Sequence, residues 1–374
     1  MGVNLKNLKN TISAEVYFDG IVKPAVPANA PHPAFHPTQH ILARSLSLAP
    51  ARLLRSGVSC AALAAACVFP ISALAGSYFV SDEAEFRQAI ADANADADTD
   101  ARITLTADIT LPTSISFPSL TKPVAIDTGE FVLRGDSGTV WGQQYTLYFP
   151  SGHLIIDGTV QAGNAPGGYS SGDGIAGVAV AMDKDGTIEN NGTVIGGSGA
   201  IISGTGASGF YGGPGIFVWD DGVTVINNGE ARGGKGEDID VGGENDDTVD
   251  TRAGTGGAGL VFRKSSSSVN NGTLLGGEGG SIRNPGFNRQ FGGNGGVGAA
   301  FLGGGVHVNN GTIQGGAGGR GVNGAESGHG AGGIGVRLVG GSLTNSASGR
   351  IVGANGQAGG GAGDRGGSRG GTGL

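Results

Sequence analysis

The stretch "IENNGTVIGGSG" (188–199) is followed by "VINNGEARGGKG" (225–236), "VNNGTLLGGEG" (269–279) and "VNNGTIQGGAG" (308–318). "LIIDGTVQAGN" (154–164) precedes the set and "LTNSASGRIVGANG" (343–356) follows it. The marker glycines Gly158, Gly192, Gly229, Gly272, Gly311 and Gly349 are spaced by 34, 37, 43, 39 and 38 residues. A period of that size belongs to a solenoid or a propeller. Each unit opens on a Gly-flanked apolar run: "GVAVAM", "GIFVWD", "GLVFRK", "VGAAFL" or "GVRLVG". The strands so marked are too short for propeller blades but long enough for the faces of a coil.

The predicted fold is therefore all-β, a parallel β-helix in which each strand pairs with its counterpart one coil away, at ~4.8 Å. Inward Val, Ile and Leu stack into columns. Asn-Gly turns the corners, and stacked Asn amides can hydrogen-bond along the axis. Asn190, Asn228, Asn271 and Asn310 should then line up. The glycine-rich segments between units, such as "GTGASGFYGGPG" (204–215), vary in length and are expected to loop outward. The repeats leave open whether a unit is one coil or two.

Composition narrows the class. Glycine accounts for 78 of 374 residues, against a usual ~7%. With only 14 prolines and no strict three-residue period, collagen is excluded. Both cysteines, Cys60 and Cys67, fall in one early apolar run, so the rest of the chain can form no disulfide. In that run Arg52 and Arg55 form a positive n-region, residues 56–72 an apolar h-region, and Ala73-Leu74-Ala75 a small-x-small site. A secretory signal cleaved after Ala75 follows, with residues 1–75 as a disordered leader. Cleavage leaves 17 Lys and Arg against 29 Asp and Glu, a net charge of −12. An acidic chain without a basic stripe is not a nucleic-acid binder.

Residues 76–150 read as an N-terminal cap, and 151–374 as the repeats. Ser81 can N-cap a short helix whose first turn is acidic. Phe86, Ala89, Ile90 and Ala93 share its buried face, and Ile103, Leu105, Ile109 and Leu111 alternate as strands.

An export signal, a helix-plus-strand cap, a Cys-free body and "NNGTIxGG"-type repeats together resemble the passenger of a bacterial autotransporter. The resemblance covers residues 76–374 and implies a right-handed β-helix displayed on a Gram-negative surface. It also implies an outer-membrane barrel translocator. No alternating barrel strands follow the terminal "GGGAGDRGGSRGGTGL", so the barrel is expected outside this chain. The function so implied is that of a non-catalytic adhesin or spacer, without cofactor or metal, whose partners are a host-cell receptor or extracellular matrix.

The chemistry-bearing motifs are few. Arg134-Gly135-Asp136 is a candidate cell-attachment tripeptide in an exposed turn. Gly135-Asp136-Ser137-Gly138 imitates a serine-protease nucleophile segment, but no histidine lies between Ala75 and Ser137 to serve as base. Asp220-Asp221 and Gly328-His329-Gly330 echo a polygalacturonase, the basis of an alternative reading as a secreted enzyme acting on polysaccharide. "GGKGEDIDV" (233–241) and "GGENDDTVD" (242–250) approach the calcium-binding nonapeptide imperfectly.

Overall fold

A computed structural model describes residues 76–112, 116–137, 144–165, 174–203, 208–242, 250–283, 290–321, 328–357 and 370–373. The leader and signal segment, residues 1–75, lie outside the described residues. What is described is mostly β, with a single helix.

The chain enters through β1 (Gly76–Val80) and α1 (Glu83–Ala95), then β2 (Ala101–Leu105), which pairs with β1. All four residues expected on the helix's inner face are buried. The N-cap is Asp82 and not Ser81. The Asp82 carboxylate accepts the Glu85 N–H at 2.9 Å, while the Ser81 N–H and hydroxyl donate to the Glu85 carboxylate at 2.7 and 2.9 Å. Ser81 thus supports the cap from one residue outside it. Next come β3 (Ile109–Leu111), the long β4 (Pro123–Gly135), β5 (Tyr145–Phe149) and β6 (Gly152–Gln161).

From here each repeat contributes the same set: β7 (Val178–Met182), β8 (Gly186–Asn190), β9 (Thr193–Ile195) and, in three repeats, a short rung such as β10 (Ile202–Ser203). Every registered strand pair among the described residues is parallel. The β7 ladder continues through Ile216–Val218, Leu260–Phe262, Ala299–Phe301 and Val336–Leu338. The β8 ladder continues through Val223–Asn227, Ser267–Asn270, Val306–Asn309 and Ser342–Asn345. The β9 ladder continues through Glu230–Arg232, Thr273–Leu275, Thr312–Gln314 and Arg350–Val352. Each partner lies one repeat away, so a unit is one layer.

Register puts like beside like in the core. One column runs Phe149, Met182, Val218, Phe262, Phe301 and another Val160, Val194, Ala231, Leu274, Ile313; all are buried. Burying each aliphatic or phenyl group contributes about 1.5–3 kcal/mol.

The corners carry two asparagine ladders. In the inner one, each buried side-chain amide donates to the next repeat: Asn190 to Asn227, then to Asn270, Asn309 and Asn345, at 2.7–2.8 Å. In the outer, exposed one the direction reverses: Asn310 donates to Asn271, then to Asn228, Asn191 and Asp157, at 2.8–2.9 Å. The expected alignment of Asn190 with Asn228, Asn271 and Asn310 was one residue out. Asn190 faces inward, and Asn191 occupies the outer column.

The glycine-rich segments do not simply loop outward. Their described parts pack backbone against backbone into a second body. The run leaving each β9-type strand and the run returning to the next β7-type strand alternate in one string. Gly213 donates to Gly197, Gly234 to Gly213, Gly257 to Gly234, Gly277 to Gly257, Gly296 to Gly277 and Gly316 to Gly296, at 2.7–2.8 Å. A second string, three residues along, runs Glu237, Gly254, Gly280, Gly293, Gly319, Gly330. A three-residue step suits extended three-fold backbone. A Cβ on Gly277 would stand 1.9 Å from the Gly234 carbonyl oxygen, and one on Gly316 1.8 Å from that of Gly277. Neither glycine has a positive φ. Glycine is required here for the room it leaves, and not for backbone freedom.

Candidate functional site

The attachment tripeptide lies at a strand end, not in a tight turn. Arg134 and Gly135 close β4, in register with Thr110 and Leu111, and the Asp136 N–H donates to the Leu111 carbonyl at 2.8 Å. Arg134 and Asp136 are exposed, and Arg134 makes a long ion pair with Asp108 at 3.7 Å. Gly135 is held by packing: a Cβ there would meet the Thr146 hydroxyl at 2.4 Å. Ser137 follows, and residues 138–143 lie outside the described residues.

The polygalacturonase-like fragments are not brought together. Asp220 and Asp221 form the corner after Ile216–Val218, where Asp221 accepts the Ser265 N–H at 2.7 Å. His329 precedes Val336–Leu338, three pairing steps away, and accepts the Gly321 N–H at 3.0 Å. The layers do align another carboxylate pair, Asp127 and Asp157. Arg102 spans it, at 2.8 Å to Asp127 and 3.3 Å to Asp157. Burial pushes the Asp127 carboxyl up, but the Arg102 guanidinium and the Gly129 N–H outweigh it and hold the group below the usual range. That is the reverse of the raised pKa a general acid needs.

The first calcium-like nonapeptide is neutralised from within. Asp238, nearly inaccessible, takes Lys235 at 2.7 Å, Arg283 at 2.6 Å and the Ser281 N–H at 2.7 Å. Two cations already satisfy the carboxylate that a calcium ion would need. Residues 243–249 of the second copy lie outside the described residues. Among the described residues no group of three or more His, Cys, Asp or Glu could hold a metal ion.

Two buried titratable groups escaped the sequence reading. Glu237 is fully buried in the glycine body, where the following repeats carry Gly280 and Gly319. One carboxylate oxygen accepts the Phe210 N–H at 2.5 Å; the other has no partner among the described residues. Burial pushes this carboxyl up to about 7. His307 sits in the strand core, stacked on Phe301 with ring centroids 3.7 Å apart and bonded to the Ser268 hydroxyl at 3.1 Å. Burial pushes it down to about 4.

A concavity of about 710 Å³ runs along the seam between the β9 ladder and the glycine body. One wall is the outward column Ile195, Arg232, Leu275, Gln314, Val352. The other is Ser198, Lys235, Glu278, Ala317, Asn355, and Arg350 stands at the far end. Glycine pairs such as Gly233-Gly234 and Gly276-Gly277 make the floor. They cannot be enlarged, because a Cβ on Gly233 or Gly276 would lie 2.0–2.1 Å from a carbonyl oxygen of the returning run. The groove is assembled from a few residues of each of five repeats, and no local motif announces it.

No protein-family model, curated protein or solved structure matches this chain.

Proposed function

We propose that this chain is a non-catalytic passenger of the autotransporter type, a right-handed parallel β-helix serving as adhesin or structural spacer on a Gram-negative surface. The observation that carries the reading is the pairing of each ladder strand with its counterpart one repeat away, through successive parallel layers. Parallel crossovers are right-handed in nearly all known sheets, which supports the hand. The helix α1 at the first layer supports a capped, independently folding end. A chain that folds without disulfides suits passage through a narrow translocator.

Export is tested by expressing the full chain in a Gram-negative host and sequencing the N-terminus of each cell fraction. A periplasmic or extracellular product starting at Gly76 is expected; an uncleaved cytoplasmic product overturns the reading. Adhesion through Arg134 and Asp136 to a host receptor or matrix is tested separately with Asp136→Glu. Unchanged cell binding removes the tripeptide and leaves the spacer role.

A further inference from the structure

We infer that the groove between the β9 ladder and the glycine body binds one chain of an anionic polysaccharide, laid along the stack. This gives the adhesin reading a ligand class, and it rests on that reading only in that the glycan is held and not cut. The net charge of the whole chain is −8, yet Arg232, Lys235 and Arg350 line this groove against the single carboxylate of Glu278. Among the side chains lining the groove cations outnumber carboxylates, as a site for an anion requires.

The cations are available to a ligand. Arg350 is exposed and forms no ion pair among the described residues. Arg232 is exposed and, among the described residues, is ion-paired only with Glu230, at 3.8 Å. Lys235 is anchored by Asp238, which also holds Arg283, so two cations share that one carboxylate. Arg232 and Arg350 are three layers apart, ~14 Å along the axis at the usual strand spacing. Only an elongated ligand reaches both.

The floor decides between a glycan and an acidic peptide. A peptide docks to a β surface by pairing its backbone with free N–H and C=O groups. Here the floor N–H groups are already used: Gly233 donates to Leu275, Gly276 to Gln314 and Gly315 to Val352, at 2.8–3.0 Å. The remaining donors are side chains: guanidinium, ammonium and amide groups on the walls. They suit a ligand rich in acceptors, with sulfate or carboxylate groups on a hydroxyl-bearing chain. Half-buried Ile195, Leu275 and Val352 between them offer apolar contact to sugar ring faces.

The test uses the purified full-length chain and fluorescently labelled heparin, with neutral dextran and poly-glutamate as competitors. Heparin is expected to bind at low salt, dextran not to compete, and poly-glutamate to compete at least about tenfold more weakly. Arg232→Ser and Arg350→Ser should each weaken heparin binding about tenfold and lower its salt dependence. Arg87→Ser, the same charge change on α1, should leave it unchanged. Thermal melts matching the unsubstituted chain establish that the variants are folded, as exposed rim residues allow. The inference is overturned if heparin does not bind, if Arg87→Ser weakens binding equally, or if a chain carrying both Arg232→Ser and Arg350→Ser binds normally. Equal competition by poly-glutamate overturns the glycan assignment in favour of an acidic protein. Shortened heparin after incubation overturns the non-catalytic reading.

Discussion

The strand half and the glycine half of each layer are stacked by opposite means. In the strand half, side-chain columns add to the ladder hydrogen bonds, and the columns tolerate changes of size: Ala231 sits between Val194 and Leu274, and Val218 between Met182 and Phe262. In the glycine half, cohesion comes from backbone hydrogen bonds between runs that at Gly277 and Gly316 lie too close for a Cβ. The first half is specified by what the residues carry, the second by what they lack. A small loss is therefore absorbed in one half, and a small gain is intolerable in the other.

The sharpest way to break this contrast is to add volume on the glycine side. Gly277→Val should destabilise by more than about 4 kcal/mol, because the displaced groups are backbone and cannot rotate away. Leu274→Val, three residues earlier in the strand half, should cost only about 1 kcal/mol. Urea unfolding midpoints of the two variants check the asymmetry.

Opposite pH responses come next. In the glycine half, Glu237 has its folded pKa raised from 4.5 to about 7. Its contribution is therefore complete below 4.5 and is lost as pH rises to 7. In the strand half, His307 has its folded pKa lowered from 6.5 to about 4. Its contribution is complete above 6.5 and is lost as pH falls to 4. Each amounts to at most about 3 kcal/mol, and they offset one another in the intact chain. Glu237→Gln should leave a protein that loses stability on acidification from 6.5. His307→Leu should leave one that loses stability on alkalinisation from 4.5. Thermal unfolding across roughly pH 4 to 8, the window these two groups span, separates them.

The asparagine ladders give the smaller effects. Asn270→Ala removes a buried amide bonded to Asn227, Asn309 and the Thr312 carbonyl, and should cost about 2 kcal/mol. Asn271→Ala interrupts the exposed ladder, where water replaces the lost bonds, and should cost less than about 1 kcal/mol. Equal costs from chemical denaturation would mean that the inner ladder gains nothing from burial.

The strand half was legible in the sequence because side-chain pattern is what sequence records. Asn-Asn-Gly located the corners, and the flanking Val, Ile and Leu located the columns. The residual error, Asn190 placed in the outer ladder, arose because two adjacent asparagines look alike until one is known to face inward. The glycine half was misread as outward loops for a plain reason. A residue without a side chain has no polarity to alternate, and only the three-residue recurrence of Gly277 and Gly280, or Gly316 and Gly319, hinted at packing. The groove was illegible because Arg232, Lys235 and Arg350 become neighbours only after the layers are stacked. Glu237 and His307 each stand in a column where other repeats carry something else, so a repeat-by-repeat alignment could have marked them as exceptions.

Because the strand ladders and asparagine strings step from one layer only to the next, a whole repeat is a unit that can be duplicated or deleted without disturbing the remainder. Cutting at Gly229 and rejoining at Gly272 would bring the same strand types back into contact, and the body would shorten by one spacing, ~4.8 Å. Length in this molecule is then a genetically adjustable quantity, set in increments of some forty residues, while the cross-section and its seam stay constant.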